Sequence, residues 1–224
     1  MPHDIVSEVQ RLHALLPQGV TLVAVSKFHP IEKLRQAYDA GQRVFGESRV
    51  QEMLAKIPEM PDDVRWHFIG HLQTNKVKNV IGHTDLIESV DSVKLLELID
   101  RLSAEAGVVT RVLLQVHVAA EETKFGFTPD EILEYFRNGG YRGLRATHIC
   151  GLMGMATNTN DTKRIDGDFR MKTGNLVIDE GPWCNSGGYK DKLSLLTSAT
   201  ENREALKIFY HDREGKASDR IIEP

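Results

Sequence analysis

The sequence predicts an α/β protein built as a single (β/α)8 barrel of the TIM type, and three observations support this. Predicted strands and helices alternate about six times over the first 160 residues, which implies a parallel sheet with right-handed crossovers. Five or six consecutive strand–helix units favour a barrel over an open, doubly wound sheet. No Gly-x-Gly-x-x-Gly motif follows a predicted strand, which counts against a Rossmann dinucleotide site. Periodicity alone leaves the open sheet as an alternative.

The composition is that of an ordinary globular protein. The chain has 224 residues, of which 41% are hydrophobic and 27% are charged, with a formal net charge of -4. This balance makes nucleic acid or an anionic membrane a poor choice of main partner. No apolar run approaches the roughly 20 residues of a membrane span. The two cysteines lie far apart and no signal peptide is recognisable, so we expect a soluble, cytoplasmic protein with free thiols.

Caps and breakers mark the elements of the first eighty residues. Pro30 lies at the start of a helical pattern that Gly41 closes, and Ser48 is placed to cap the next helix, which Pro58 ends. Apolar periodicity fills the intervals between these residues. The predicted elements are helix 5–16, strand 20–25, helix 31–40, strand 43–47, helix 48–57, strand 66–70 and helix 71–80.

The alternation continues through the middle of the chain. Asp91 or Ser92 caps a strongly amphipathic helix that Gly107 closes, and an almost wholly apolar strand follows it. The predicted elements are strand 86–89, helix 93–106, strand 108–118, helix 129–136 and strand 147–153.

The last quarter of the chain has a different character. Residues 158–188 are polar and contain several glycines. Residues 193–196 are predicted as a seventh strand and residues 201–209 as a helix, whereas the chain after Tyr210 has few apolar residues. We therefore predict no eighth strand, and the last two strand–helix units are expected to be irregular.

The first candidate functional residue is Lys27. It follows an apolar run, Val20–Val25, that predicts a strand buried on both faces. Ligand sites of α/β folds lie at the carboxyl ends of strands. Partial desolvation there favours the neutral amine that Schiff-base chemistry requires. The alternative is a lysine that extends from the strand end into solvent.

Other polar residues follow the remaining strands. Lys124 comes after the fifth strand, where it is expected either to face the same pocket as Lys27 or to pair with a neighbouring glutamate. His67 and His71 flank the end of the third strand, but their spacing does not predict a metal site. Met153, at the end of the sixth strand, is expected to form part of a pocket wall.

Five segments together resemble one family, the YggS-type (PROSC-like) pyridoxal phosphate homeostasis proteins. The resemblance covers about residues 1–170, and the five motifs occur in the family's order. The segments are 23–30 (VAVSKFHP), 41–52 (GQRVFGESRVQE), 66–76 (WHFIGHLQTNK), 122–126 (ETKFG) and 151–156 (GLMGMA).

The resemblance implies a barrel like the N-terminal domain of alanine racemase, with pyridoxal 5'-phosphate (PLP) held as a Schiff base on Lys27. It implies a cytoplasmic role in PLP and vitamin B6 homeostasis without established catalytic turnover, and PLP-dependent apoenzymes as possible acceptors. Over the whole chain we expect one PLP-binding domain, residues 1–224, and a monomer. The expected cofactor-binding residues are Lys27, Ser48, His67, Lys124, Met153, Ser194 and Ser198.

The C-terminal part departs from the family pattern. The family's Leu-Ser-Met-Gly-Met-Ser-x-Asp corresponds here to residues 193–198 (LSLLTS), without the glycine or the aspartate, and nothing matches its Arg-Ile-Gly. Ser194 and Ser198 therefore match by position only. A phosphate needs backbone N–H donors in a turn of suitable shape. Two alternatives stay open: a racemase-like PLP enzyme and a scaffold that has lost its cofactor.

Overall fold

The computed structural model describes residues 4–16, 19–117 and 125–154, and the backbone of residues 206–211 and 217–222. The chain divides into two compact units. One consists of Met1–Val116 and Leu144–Met153, and the other of His117–Gly143 and Gly154–Pro224. The expectation of one domain over residues 1–224 stays a prediction.

The first unit is built on a six-stranded sheet whose strands lie in the order of the chain, β1 to β6. Neighbouring strands from β1 to β5 are parallel. A doubly wound sheet reverses its strand order partway, and this sheet does not, so its order is that of a barrel. The strands are β1 Ala24–Val25, β2 Val44–Glu47, β3 Arg65–Phe68, β4 Leu86–Val90, β5 Thr110–Val116 and β6 Thr147–Gly154.

Helices follow most of these strands, and local hydrogen bonds fix several of their ends. Ser92 Oγ accepts a hydrogen bond from Leu95 N (3.4 Å), and Gly107 ends the same helix in the left-handed conformation. Thr128 forms a capping box with Glu131. The helices are α1 Ile5–Leu15, α2 Ile31–Asp39, α3 Val50–Lys56, α4 Val93–Ala106 and α5 Pro129–Arg137. None of these combines the length and apolar character that crossing a bilayer requires.

The core of the first unit lies on one face of the sheet. Ile87 of β4 is in register with Val112 of β5, and both side chains are fully buried. Leu96 and Ile99 of α4 are equally buried. Because side chains alternate across a strand, residues of the opposite parity, such as His67 and Glu88, project from the other face. That face carries the candidate site.

The prediction that residues 20–25 form a strand buried on both faces is wrong. The strand is only Ala24–Val25, and Val25 is 51% exposed. The physical reason is position: β1 is the edge of the described sheet and pairs there with β2 alone. An apolar, β-branched run predicts a strand from local preference, but its burial depends on which neighbours cover it.

Two helix predictions also need correction. Ser48 does not cap α3, because Arg49 occupies the N-cap position and makes no side-chain capping hydrogen bond. The segment predicted as helix 71–80 forms a 3₁₀ helix over Thr74–Asn79 only. Thr and Asn have low α-helix propensity, and short runs of this kind close i→i+3 hydrogen bonds more readily than a full α-helix.

The chain end differs most from its prediction. Leu206–His211 (β7) and Ala217–Ile222 (β8) pair as an antiparallel hairpin. The helix predicted over residues 201–209 is therefore wrong where it overlaps β7, and a strand exists where none was predicted. Ile208-Phe209-Tyr210 is a β-branched and aromatic run of the kind that strands prefer. The strand predicted at residues 193–196 lies outside the described residues.

Candidate functional site

The turn that carries Lys27 closes the carboxyl end of β1. His29 N donates to Ser26 O (3.1 Å), which makes Lys27 and Phe28 the two central residues of a four-residue turn. Lys27 lies at the strand end as predicted, but it is exposed, so the partial desolvation expected for its amine is not found. The short edge strand explains this, because β1 has only one described strand beside it.

A cluster of charged side chains lies directly behind this turn. Lys56 Nζ, on α3, donates to Ser26 O (2.8 Å), Glu47 Oε1 (2.7 Å) and Glu52 Oε1 (2.6 Å). Ser26 Oγ donates to the same Glu47 Oε1 (2.6 Å). We call Ser26, Glu47, Glu52 and Lys56 the turn-support cluster. It joins the ends of β1 and β2 to the helix that follows β2.

The turn-support cluster is largely shielded from water. Glu47 is completely buried and Lys56 is 8% exposed. The second oxygen of Glu47, Oε2, has no hydrogen-bond partner among the described residues. Removing Lys56 would leave the Glu47 carboxylate buried without a counter-ion, and removing Glu47 would leave Lys56 with Glu52 alone. Breaking such a buried pair is far more costly than losing a surface ion pair. The cluster therefore fixes the relative positions of the three elements that it joins.

Phe28 shows that the turn is under strain. Its φ is 64°, in the left-handed region, which costs a non-glycine residue roughly 1–2 kcal/mol. Two contacts, one from α3 and one from its N-cap residue Arg49, hold it there. Phe28 N donates to Glu52 Oε1 (2.6 Å), and the Arg49 guanidinium carbon lies 4.6 Å from the centre of the Phe28 ring. A strained backbone persists only where its surroundings specify it, and such residues concentrate at functional sites.

Opposing effects act on the pKa of Glu52. Burial raises this pKa, but the hydrogen bonds from Lys56 Nζ and Phe28 N, with the charges of Lys56 and Arg49, outweigh burial. The net result is a pKa below the ordinary value of 4.5. The carboxylate form of Glu52 therefore stabilises the fold.

We expect this contribution to depend on pH. A depressed carboxyl pKa stabilises the fold fully above the unfolded value and loses that effect as the pH falls through the folded value. Urea unfolding of the native protein and of Glu52→Gln, at neutral pH and at about pH 4, measures it. The difference in unfolding free energy between the two proteins should shrink at the lower pH. A difference that grows with acidification would contradict the depressed pKa of Glu52.

A second pair of polar side chains occupies the face opposite the core. His67 Nδ1 of β3 lies 2.6 Å from Glu88 Oε1 of β4, and the two side chains are 13% and 17% exposed. Just beyond β3, His71 Nδ1 lies 2.9 Å from Asp91 Oδ2. Each histidine thus has its own carboxylate. Within the described ranges, no three His, Cys, Asp or Glu residues gather as a metal site would require.

The ends of β2 and β3 approach each other closely at Ser48 and Gly70. A Cβ added to Gly70 would lie 2.7 Å from Ser48 Cα and closer still to the Ser48 carbonyl oxygen. Ser89 Oγ donates a hydrogen bond to the Gly70 carbonyl oxygen (2.5 Å). Position 70 therefore requires glycine, because no side chain has space there. The close contact between Gly70 and Ser48 fixes the position of Ser48 at the carboxyl edge of the sheet.

Four of the seven predicted cofactor-binding residues fall in the described chain, and all four belong to the first unit. Lys27, Ser48, His67 and Met153 lie at or near the carboxyl ends of β1, β2, β3 and β6. Parallel strands direct these ends to one edge of the sheet. Lys124, Ser194 and Ser198 lie outside the described residues.

The partners of these residues are not evident from the sequence. Glu88 was not singled out beside His67, and neither Glu52 nor Lys56 was connected with Lys27. One local signal existed: Glu52 and Lys56 are four residues apart, the spacing of helical ion pairs. A second signal is a glutamate, Glu47, at the end of an otherwise apolar predicted strand, and the structure buries this residue completely.

These residues suit one end of PLP better than the other. An exposed primary amine on a fixed turn can react with an aldehyde. The His67 imidazole, paired with Glu88, offers a flat, oriented surface at the same edge of the sheet. The donor set thus fits the aldehyde and ring of the cofactor. The residues expected to hold its phosphate, Ser194 and Ser198, are not among those described.

Comparison with known proteins identifies the family to which the chain is similar. The family model described as the alanine racemase N-terminal domain matches residues 3–171. A pyridoxal phosphate homeostasis protein of Schizosaccharomyces pombe is 41% identical over 145 residues, which are 64% of this chain and 60% of the relative. A protein of the same name from Aquifex aeolicus is 44% identical over 116 residues, 51% of each chain. The matched part thus spans about half to three fifths of these relatives.

Solved structures give the same result. PipY of Synechococcus elongatus without PLP superposes with a TM-score of 0.70 at 37% identity, covering 75% of this chain and 78% of that one. Its structure with PLP bound superposes with a TM-score of 0.67. Alanine racemase of E. faecalis, at 20% identity and a TM-score of 0.62, shares the fold, so the predicted fold class is confirmed. Because the family model matches residues 3–171, which is most of the chain, the chain belongs to the alanine racemase N-terminal domain family.

Proposed function

We propose that this protein binds PLP as a Schiff base on Lys27 and takes part in intracellular PLP and vitamin B6 homeostasis. The observation that carries the proposal is the position of Lys27: an exposed amine on a turn that buried charges hold at the carboxyl end of β1. Relatives bearing the homeostasis name, and PipY with PLP bound, support the choice of cofactor.

The chemistry assigned to Lys27 is simple. Its neutral amine adds to the aldehyde carbon, a C=N bond forms, and the aldehyde oxygen leaves as water. Bound PLP supplies an electron-withdrawing ring. His67 and Met153 would flank that ring, and Ser48 would contact it from the end of β2. Lys124, Ser194 and Ser198 complete the proposed set, the serines at the phosphate and Lys124 as a second amine.

The proposed role is to hold and transfer the cofactor, without turnover of a substrate. A racemase would need a second base on the opposite face of the cofactor, and the relatives' name describes homeostasis instead. The acceptors would be PLP-dependent apoenzymes. We propose a cytosolic location, in keeping with the sparse cysteine content of the chain, and a monomeric state.

The test is covalent trapping of the cofactor. Purified protein is mixed with PLP, the absorbance is recorded, and borohydride reduction fixes any Schiff base for peptide mass mapping. We expect a Schiff-base band and a stoichiometric adduct on Lys27, both lost in Lys27→Ala. Lys33→Ala removes a nearby exposed lysine on α2 and should leave both unchanged.

Three outcomes decide the matter. An adduct on Lys27 that disappears in Lys27→Ala supports the proposal. A full adduct in Lys27→Ala assigns the bond to another lysine and overturns the assignment. No band, and no rise in melting temperature with PLP, identifies a scaffold that does not bind the cofactor, because any ligand selective for the native state must stabilise it.

A further inference from the structure

We propose that Lys56 is a positioning residue for Lys27, an inference that rests on the function proposed above. Lys56 does not touch the reacting atoms. It acts through the Ser26–His29 turn, whose geometry determines where the Lys27 amine stands. The turn-support cluster would then act as a preorganising device for Schiff-base formation, beyond its part in holding the fold together.

The first argument is a shared atom. The carbonyl oxygen of Ser26 accepts the hydrogen bond from His29 N that closes the turn (3.1 Å), and it also accepts from Lys56 Nζ (2.8 Å). Lys27 is the residue bonded to that carbonyl carbon. A shift of the Lys56 ammonium is therefore transmitted directly to the peptide unit at the base of Lys27.

The second argument is the strained residue on the other side of Lys27. Phe28 keeps its φ of 64° while its amide donates to Glu52 Oε1, the same oxygen that accepts from Lys56 Nζ. Lys56 thus fixes the peptide before Lys27 directly and the peptide after it through Glu52. A lysine held from both sides loses less entropy when it joins a bound aldehyde than one on a mobile loop.

The third argument is burial. Lys56 is 8% exposed and has three acceptors, which is the full donor capacity of an ammonium group. A buried charge with no donor left over cannot itself serve as the second amine of the site. Its three hydrogen bonds hold Ser26, Glu47 and Glu52 in one arrangement.

The experiment separates cofactor binding from covalent attachment. Binding of pyridoxine 5'-phosphate, which has no aldehyde, is measured by calorimetry, and Schiff-base formation with PLP by absorbance and trapping. Glu52→Gln and Lys56→Met are compared with Arg101→Met, which breaks an exposed helical ion pair on α4. Hydrogen exchange of the 24–30 segment, without cofactor, reports the turn itself.

We expect Glu52→Gln and Lys56→Met to lower the rate of Schiff-base formation about tenfold or more, with pyridoxine 5'-phosphate affinity within about twofold of native. Exchange at Phe28 should accelerate in both variants, Lys56→Arg should recover part of the rate, and Arg101→Met should match the native protein. Glu52→Gln keeps the Glu47–Lys56 pair, so it remains informative if Lys56→Met does not fold.

Other outcomes overturn the inference. An unchanged rate in Glu52→Gln, or an equal loss of rate and of pyridoxine 5'-phosphate affinity, would leave the cluster a purely structural role. A native protein that forms no adduct on Lys27 defeats the proposed function first and this inference with it. Only the native measurement separates the two failures, so it is made before the variants.

Discussion

Gly70→Ala should destabilise the protein by about 3 kcal/mol, because the new methyl group has no space. Its Cβ would lie 2.7 Å from both Cα and Cβ of Ser48. Most of the obstructing atoms belong to the backbone, so rotation of a side chain cannot relieve the clash. The ends of β2 and β3 would have to separate, and the hydrogen bond from Ser89 Oγ to the Gly70 carbonyl would be disturbed.

Urea unfolding measures this loss, and Gly143→Ala is the matched control. A Cβ on Gly143 meets no atom within 4 Å, and its φ is not positive, so its change should stay within about 0.5 kcal/mol. Equal stabilities for the two variants would show that the strand ends separate without cost. The same Gly70 variant should also weaken PLP binding if Ser48 contacts the cofactor as proposed.

Elements with local signals were predicted almost to the residue. The helix expected from Ser92 to Gly107 is α4, Val93–Ala106, with Ser92 as its N-cap and Gly107 in the left-handed conformation. The residues that flank the helix determine both of its ends, so no tertiary information is needed to predict them. The Pro30 and Gly41 boundaries of α2 succeeded for the same reason.

The secondary-structure predictions fail where residues that are distant in sequence determine the structure. Val25 has the sequence environment of a buried strand, yet its place at the sheet edge leaves it 51% exposed. The sequence predicts residues 206–209 as part of a helix, whereas pairing with an antiparallel partner makes 206–211 a strand. A short apolar run carries too little periodicity to separate the two.

The candidate site divides in the same way. Lys27 was found because a lysine after an apolar strand is a local pattern, and the carboxyl-end rule gave it a role. Its supports were missed because they depend on packing: Lys56 lies 30 residues from Ser26, and Glu88 lies 21 residues from His67. The turn-support cluster becomes visible only when strand register and helix placement are known.

Glu47→Ala should cost about 3–5 kcal/mol of unfolding free energy, because it removes one partner of a buried ion pair. Glu47 is fully buried and accepts from Ser26 Oγ and Lys56 Nζ. Its loss would leave Lys56 with Glu52 as its one carboxylate partner, and Ser26 Oγ with only its longer hydrogen bond, to Gly46 O (3.3 Å). It would also open a cavity where the buried Glu47 side chain lies. Each of these effects destabilises the native state in the same direction.

Two further variants separate charge from volume. Glu47→Gln keeps the shape and an acceptor oxygen, so it should lose less than Glu47→Ala, and the difference measures the packing and hydrogen-bond part. Glu105→Ala removes the acid of an exposed ion pair, 58% accessible, and should change stability by about 0.5 kcal/mol or less. If Glu47→Ala were as mild as Glu105→Ala, the turn-support cluster would not hold the Lys27 turn, and the positioning role of Lys56 would lose its structural basis.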